Sequence, residues 1–87
     1  MIKVHLRLFG VFKNFGNNSH LELTVPSGLT IEEFKEHFFL TLSPQKDPKI
    51  HQMILDSAIA NEEEILNTQT RLAHSCVLAV LPPVCGG

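Results

Sequence analysis

Val77-Leu78-Ala79-Val80-Leu81-Pro82-Pro83, residues 77 to 83, is the stretch on which the fold turns. Five apolar residues rich in strand formers, stopped by two prolines, read as a buried central strand. Adjacent prolines supply no amide donors, so the strand cannot continue through them. A central strand needs partners on both sides, and the rest of the chain offers them. Residues 2 to 9 alternate, with Ile2, Val4, Leu6 and Leu8 on one face and Lys3, His5, Arg7 and Phe9 on the other. His20 to Val25 alternates again, with Leu21, Leu23 and Val25 inward, after the turn cluster Gly16-Asn17-Asn18-Ser19. Closer to the final strand, Ser57 to Ala60 reads as a short strand turning at Asn61-Glu62-Glu63 into another around Ile65-Leu66.

Between these strands lies a helix. Thr30-Ile31-Glu32-Glu33 fits a capping box, and behind it Ile31, Phe34, Phe38 and Leu42 recur at helical spacing. Ser43-Pro44 to Asp47-Pro48 breaks it, and residues 49 to 56 stay open between a short helix and irregular chain. The order is strand, strand, helix, short strands, final strand. It predicts an α+β fold: a mixed sheet with the first and last strands adjacent and parallel in the middle, and one main helix packed on one face.

Eighty-seven residues make one domain, expected over 1–81, with a flexible tail over 82–87. A net charge of −2, with seven scattered Lys and Arg, gives no basic stripe for nucleic acid. No apolar run reaches the roughly 20 residues that span a bilayer. The alternating start, Met1 to Arg7, is unlike a signal peptide. Two cysteines, Cys76 and Cys85, are too few for a secreted disulfide scaffold, so a cytoplasmic protein with reduced thiols is expected.

The tail, Pro82-Pro83-Val84-Cys85-Gly86-Gly87, carries the chemical signal. Gly-Gly at a given pair of positions arises by chance in roughly 0.5% of sequences. Four residues beyond the prolines reach about 13 Å at full extension. Glycines lack side chains, so such a thread can enter a narrow partner site and adopt backbone angles closed to other residues.

Together with Val77 to Leu81, this ending resembles the terminus of the molybdopterin synthase small subunits, a family of ubiquitin-like sulfur carriers. Leu8-Phe9-Gly10 leading to Phe12-Lys13 and Gly16 is similar to that family's first strand and following segment. Ile59-Ala60-Asn61 sits where the family has a strand ending before a turn, whereas Ala73-His74-Ser75-Cys76 departs from the family's acidic, glycine-bearing turn. The resemblance implies a β-grasp fold and a Gly87 carboxylate that a partner adenylyltransferase activates with ATP. A sulfur donor protein would then convert it to a thiocarboxylate. The terminus would enter the large catalytic subunit of molybdopterin synthase and deliver sulfur to a pterin precursor, with Pro82, Pro83, Val84, Cys85 and Gly86 as the inserting tail. The carrier itself would hold no independent active site and bind no cofactor. A carrier for thiazole or thio-nucleoside synthesis, a ubiquitin-like protein modifier, or an interaction module without tail chemistry stay open as alternatives.

No catalytic triad, phosphate loop or paired acid/base constellation suggests an independent enzyme. The five histidines, His5, His20, His37, His51 and His74, show no metal-ligand spacing with cysteine or with one another, and no metal site is expected. Cys85 reads as a passive small residue, Cys76 as a packed strand residue, and Glu62-Glu63-Glu64 as a solvated turn. Phe9 stands apart. Its parity puts it opposite the core face, and Leu81 shares that face if Leu78 and Val80 point inward. One helix covers one side of the sheet, so Phe9 and Leu81 are expected to form an exposed apolar patch for partner binding, unless residues 43 to 56 fold over them.

Overall fold

The computed structural model describes residues 1–83; the expected tail residues Val84, Cys85, Gly86 and Gly87 lie outside the described residues. Strand β1 (Ile2–Leu8) runs into a 3₁₀ helix (Gly10–Phe15), then β2 (His20–Val25), a short β3 (Leu29–Thr30) and helix α1 (Ile31–Leu42). Helix α2 (Pro48–Asp56), β4 (Ala58–Ala60), β5 (Arg71–Leu72) and β6 (Cys76–Leu81) follow. The main sheet has the order β2-β1-β6-β4. β1 pairs antiparallel with β2, with Ile2 opposite Val25 and Leu6 opposite Leu21. It pairs parallel with β6, with Leu6 opposite Leu78 and Leu8 opposite Val80. β4 closes the other edge antiparallel to β6, with Ile59 opposite Val80. β3 and β5 form a separate two-stranded ribbon. This is the α+β, β-grasp arrangement.

Strand parity determines the core. Ile2, Val4, Leu6 and Leu8 are buried together with Leu23, Val25, Ile59, Leu78 and Val80. Phe34 and Phe38 of α1 lie fully buried on this face, and Phe12 from the 3₁₀ helix packs 6.1 Å from Phe38 between ring centroids. The capping box forms in full: Thr30 Oγ1 accepts from the Glu33 amide at 3.1 Å, and a Glu33 carboxylate oxygen accepts from the Thr30 amide at 3.0 Å. The backbone bond from Thr30, then the one from its hydroxyl, hold the Glu33 carboxyl below its ordinary pKa.

Residues 49 to 56 resolve as α2. Asp47 Oδ1 accepts from the Lys49 amide at 2.9 Å and Pro48 occupies the first turn, where its missing N–H costs nothing. The sequence signal was present in Asp47-Pro48 followed by Ile50, Met53 and Ile54. α2 packs beside α1 and drives Ile54 into the core. It therefore widens the buried face of α1 beyond Ile31, Phe34 and Phe38 to include Lys35 and Phe39. The buried Lys35 ammonium donates to the Ser57 carbonyl at 2.7 Å and the Leu55 carbonyl at 3.2 Å. Burial pushes its pKa down from the ordinary lysine value.

Two expectations need correction. Around Ile65-Leu66 no strand forms: a single bridge joins Ile65 to Ala60, and the Leu66 amide donates to the Ile59 carbonyl at 2.8 Å. The short strand is β5, and its partner β3 falls where the sequence shows the helix cap. β6 is central but not buried on both faces. Leu78 and Val80 point into the core, whereas Val77 is 45% exposed, because both helices lie on one side.

Phe38→Ala should cost about 3–5 kcal/mol in urea unfolding, since the ring is fully buried; a loss below about 1 kcal/mol would place the helix in another register. A second expectation concerns pH. Because folding lowers the Glu33 pKa from 4.5, its stabilisation is complete above that value and is lost as pH falls through the lowered one. The stability of Glu33→Gln should therefore fall less steeply than that of the parent in this acid range.

Candidate functional site

The candidate site is built where β1 and β6 leave the sheet side by side. Their parallel register brings Leu8 opposite Val80. The next residues, Phe9 and Leu81, then share the end of the sheet on the face turned away from the helices. Phe9 continues extended, with φ −124° and ψ 157°, which preserves the strand alternation and turns its ring outward. It is 37% exposed, and the Arg7 guanidinium lies 5.9 Å from its ring centroid, within cation–π range. Leu81 is half-buried opposite Ala58.

Phe9 and Leu81 therefore fall on the outer face, as parity predicts, the first exposed and the second half-buried. α2 sits with α1 on the core face, where Ile54 packs. The outer face extends further than the two residues read from the sequence. Val77 and Ala79 continue it along β6, and Ala60 carries it onto β4. Between them a shallow depression is lined by Arg7, Ala60, Asn61, Val77 and Ala79. Parity could have found Val77 and Ala79, but reading residues 77–81 as buried on both sides concealed them. The rim is polar. Asn61 Oδ1 accepts from the amides of Glu63 and Glu64 at 2.8 Å each, which shapes the acidic turn beside the depression.

The tail begins beside this face. Pro82 is half-buried against Gly10, and Pro83 is exposed. The expected reactive residue Gly87 and the tail positions Val84, Cys85 and Gly86 are outside the described residues. At the start of β6, Ser75 Oγ accepts from the Lys3 amide at 3.0 Å and ties the strand to β1. Cys76 is half-buried, and burial raises its thiol pKa, which keeps it protonated and unreactive.

The histidines gain neighbours that spacing does not reveal. His5 and His20 meet at 3.0 Å between Nε2 and Nδ1 across β1 and β2. His51 pairs with Glu36 at 2.9 Å and stacks on Phe39 at 4.3 Å, joining α2 to α1. Among the described residues, no three His, Cys, Asp or Glu side chains converge to hold a metal ion. Nor is any described helix long and apolar enough to cross a membrane.

A β-grasp body whose central strand ends in Pro-Pro and leads to Gly-Gly defines the class of ubiquitin-like sulfur carriers. The chain belongs to the ThiS family, which matches residues 6–87. The comparison with curated proteins finds no relative. Solved structures share the fold. A protein described as molybdopterin converting factor subunit 1 from Pyrococcus furiosus superposes with TM-score 0.70 at 20% identity, covering 97% of this chain and 100% of that one. Small archaeal modifier protein 1 of Haloferax volcanii gives 0.71 at 14% identity, with 97% and 100% covered. A chain in the complex of subunits 1 and 2 of the Helicobacter pylori molybdopterin-converting factor gives 0.58 at 24% identity, with 99% and 100% covered.

Phe9→Lys should leave the domain folded, because Phe9 is 37% exposed and lies outside the buried core cluster. Its urea midpoint should move by no more than about 1 kcal/mol in equivalent stability. Unfolding would place Phe9 in the core and invert the parity of β1.

Proposed function

We propose that this chain is the sulfur-donating small subunit of a molybdopterin synthase, and that Gly87 carries its reactive carboxylate. The observation that supports this most is the Gly86-Gly87 sequence following Pro82-Pro83 on a carrier fold. The carboxylate oxygen attacks the α-phosphorus of ATP held by an adenylyltransferase, and pyrophosphate leaves. Sulfur from a sulfur donor protein, as a hydrosulfide equivalent, then attacks the acyl carbon and AMP leaves with the electron pair of the broken C–O bond. The product is a thiocarboxylate, a nucleophile at neutral pH. Inserted into the large catalytic subunit, it gives its sulfur to the pterin precursor. Partners supply ATP and every catalytic side chain, and the carrier supplies the acyl terminus, so the chain binds no cofactor of its own. Its place is the cytoplasm, where ATP is available and thiols stay reduced.

Phe9, Leu81 and the β6 stripe serve as the docking face. The carrier is read in turn by the activating enzyme and the synthase, and both need a surface that leaves the tail free. The likeness to a chain from a complex of subunits 1 and 2 supports a large-subunit partner. The likeness to an archaeal modifier protein supports a second reading, in which the same activated carboxylate forms amide bonds to lysines.

The test is intact mass after incubation with an adenylyltransferase, ATP and hydrosulfide. The wild-type chain should gain one sulfur in place of one oxygen. Deleting Gly87, or adding one residue after it, should abolish the change while melting stays the same, since the hydrophobic core is built from residues between Ile2 and Val80. Phe9→Lys should bind both partners about thirtyfold more weakly, as for loss of a central aromatic anchor of about 2 kcal/mol. It should still form thiocarboxylate at high enzyme concentration. Normal sulfur transfer from a chain extended beyond Gly87 would sink the proposal. Lysine conjugates without pterin sulfuration would favour the modifier.

A further inference from the structure

Gly10 lies where the two central strands leave the sheet. β1 and β6 run parallel, so their exits, Phe9-Gly10 and Leu81-Pro82, depart from the same end in the same direction. One of them must turn aside. The first exit does so at Gly10, whose φ of +58° is in the left-handed region, and the chain bends there into the 3₁₀ helix. The second exit fills the space that turn opens. A Cβ placed on Gly10 would fall 2.6 Å from Pro82 Cγ and 3.5 Å from Pro82 Cβ and Cδ. Carbon atoms make favourable contact at about 3.5–4.0 Å. The Pro82 ring thus occupies the volume that a side chain at position 10 would need.

This contact sits at the root of the tail. The ring fixes the φ of Pro82 near −65° and holds Leu81 extended. Prolines cannot donate, so no ladder hydrogen bond from residues 82 or 83 fixes the departure. The Pro82 ring is seated instead on the bare α-carbon of Gly10. We infer that Gly10 is a positioning residue for the carrier terminus: by seating Pro82 it aims the chain beyond Leu81 toward the site where the carboxylate is activated. This deepens the sulfur-carrier proposal and rests on it for the chemical consequence, though the seat itself stands on geometry alone. The plain alternative is that the position requires positive φ and nothing more. The two differ in what they allow. Asparagine tolerates left-handed backbone but still carries a Cβ, so it satisfies the φ and violates the seat.

The experiment uses Gly10→Asn, Pro82→Ala and the double variant in the full chain. For the structural arm a nitroxide is placed on Cys85 in a Cys76→Ala background, and paramagnetic broadening of the body amides is mapped by NMR. Gly10→Asn should redistribute the broadened amides while sheet shifts away from the contact stay in place, and the double variant should match Pro82→Ala. An unchanged pattern in Gly10→Asn overturns the inference. For the chemical arm, thiocarboxylate formation is followed with ATP, hydrosulfide and an adenylyltransferase that converts the wild type. Gly10→Asn should lower kcat on the order of tenfold with KM nearly unchanged, as expected when a reacting group is misplaced but docking is intact. Because Gly10 acts through Pro82, the double variant should lose no more than Pro82→Ala; independent, multiplying losses overturn the inference. If Gly10→Asn unfolds the domain, removing the ring in the double variant should restore folding, and a double variant that stays unfolded is equally fatal. If the wild type forms no thiocarboxylate, the carrier proposal falls while the broadening still decides the seat.

Discussion

The parallel pairing of β1 with β6 in the middle of the sheet is the constraint on which the remaining structure depends. It joins the beginning of the chain to its end, so everything between must cross over and return. The register, Leu6 opposite Leu78 and Leu8 opposite Val80, aligns two inward-facing rows into one apolar surface. That surface is wide enough for the phenylalanines of α1 and for Phe12, and the edge strands β2 and β4 add Leu23, Val25 and Ile59 to it. A one-residue slip would turn every one of these side chains to the opposite face, so the hydrophobic pattern fixes the pairing firmly.

The helical layer is held by polar contacts as well as by burial. The reciprocal bonds of Thr30 and Glu33 start α1 immediately after β3, where a strand and a helix share one residue as end and cap. At the other side, Lys35 reaches across to the carbonyls that close α2 and begin the approach to β4. Those carbonyls lie at a helix C-terminus, where a cation is favoured by the helix dipole. A buried lysine with both carbonyl partners satisfied costs far less than an unpaired one. The contact fastens the second helix to the first without enlarging the apolar core.

Concentrating both helices on one face has a functional consequence. The opposite face of β1 and β6 keeps Phe9, Val77, Ala79 and Leu81 beside the point where the tail departs. An apolar face beside the start of the tail is the arrangement that the proposed carrier role would use. The histidine contacts and the protonated Cys76 read as parts of the scaffold, the former joining strand to strand and helix to helix.

The sequence by itself determined the periodic features. Strict alternation in residues 2 to 9 identified the buried row of β1 and turned Phe9 outward, because side-chain direction in a strand follows parity alone. Thr30 to Glu33 marked the start of α1, because a capping box is local chemistry. What only the tertiary structure decided are features made by distant segments. Lys35 and Phe39 are buried because α2 packs there, although the period of α1 alone leaves them at the margin. β3 and β5 are two residues each and exist only as a pair, too short for any pattern to declare. Val77 is exposed because no layer covers the second face, a fact that its hydrophobicity conceals. Gly10 shows the division within one residue. Its small size is written in the sequence, but the Pro82 ring that requires it arrives from the far end of the chain, brought there by the parallel register of β1 and β6.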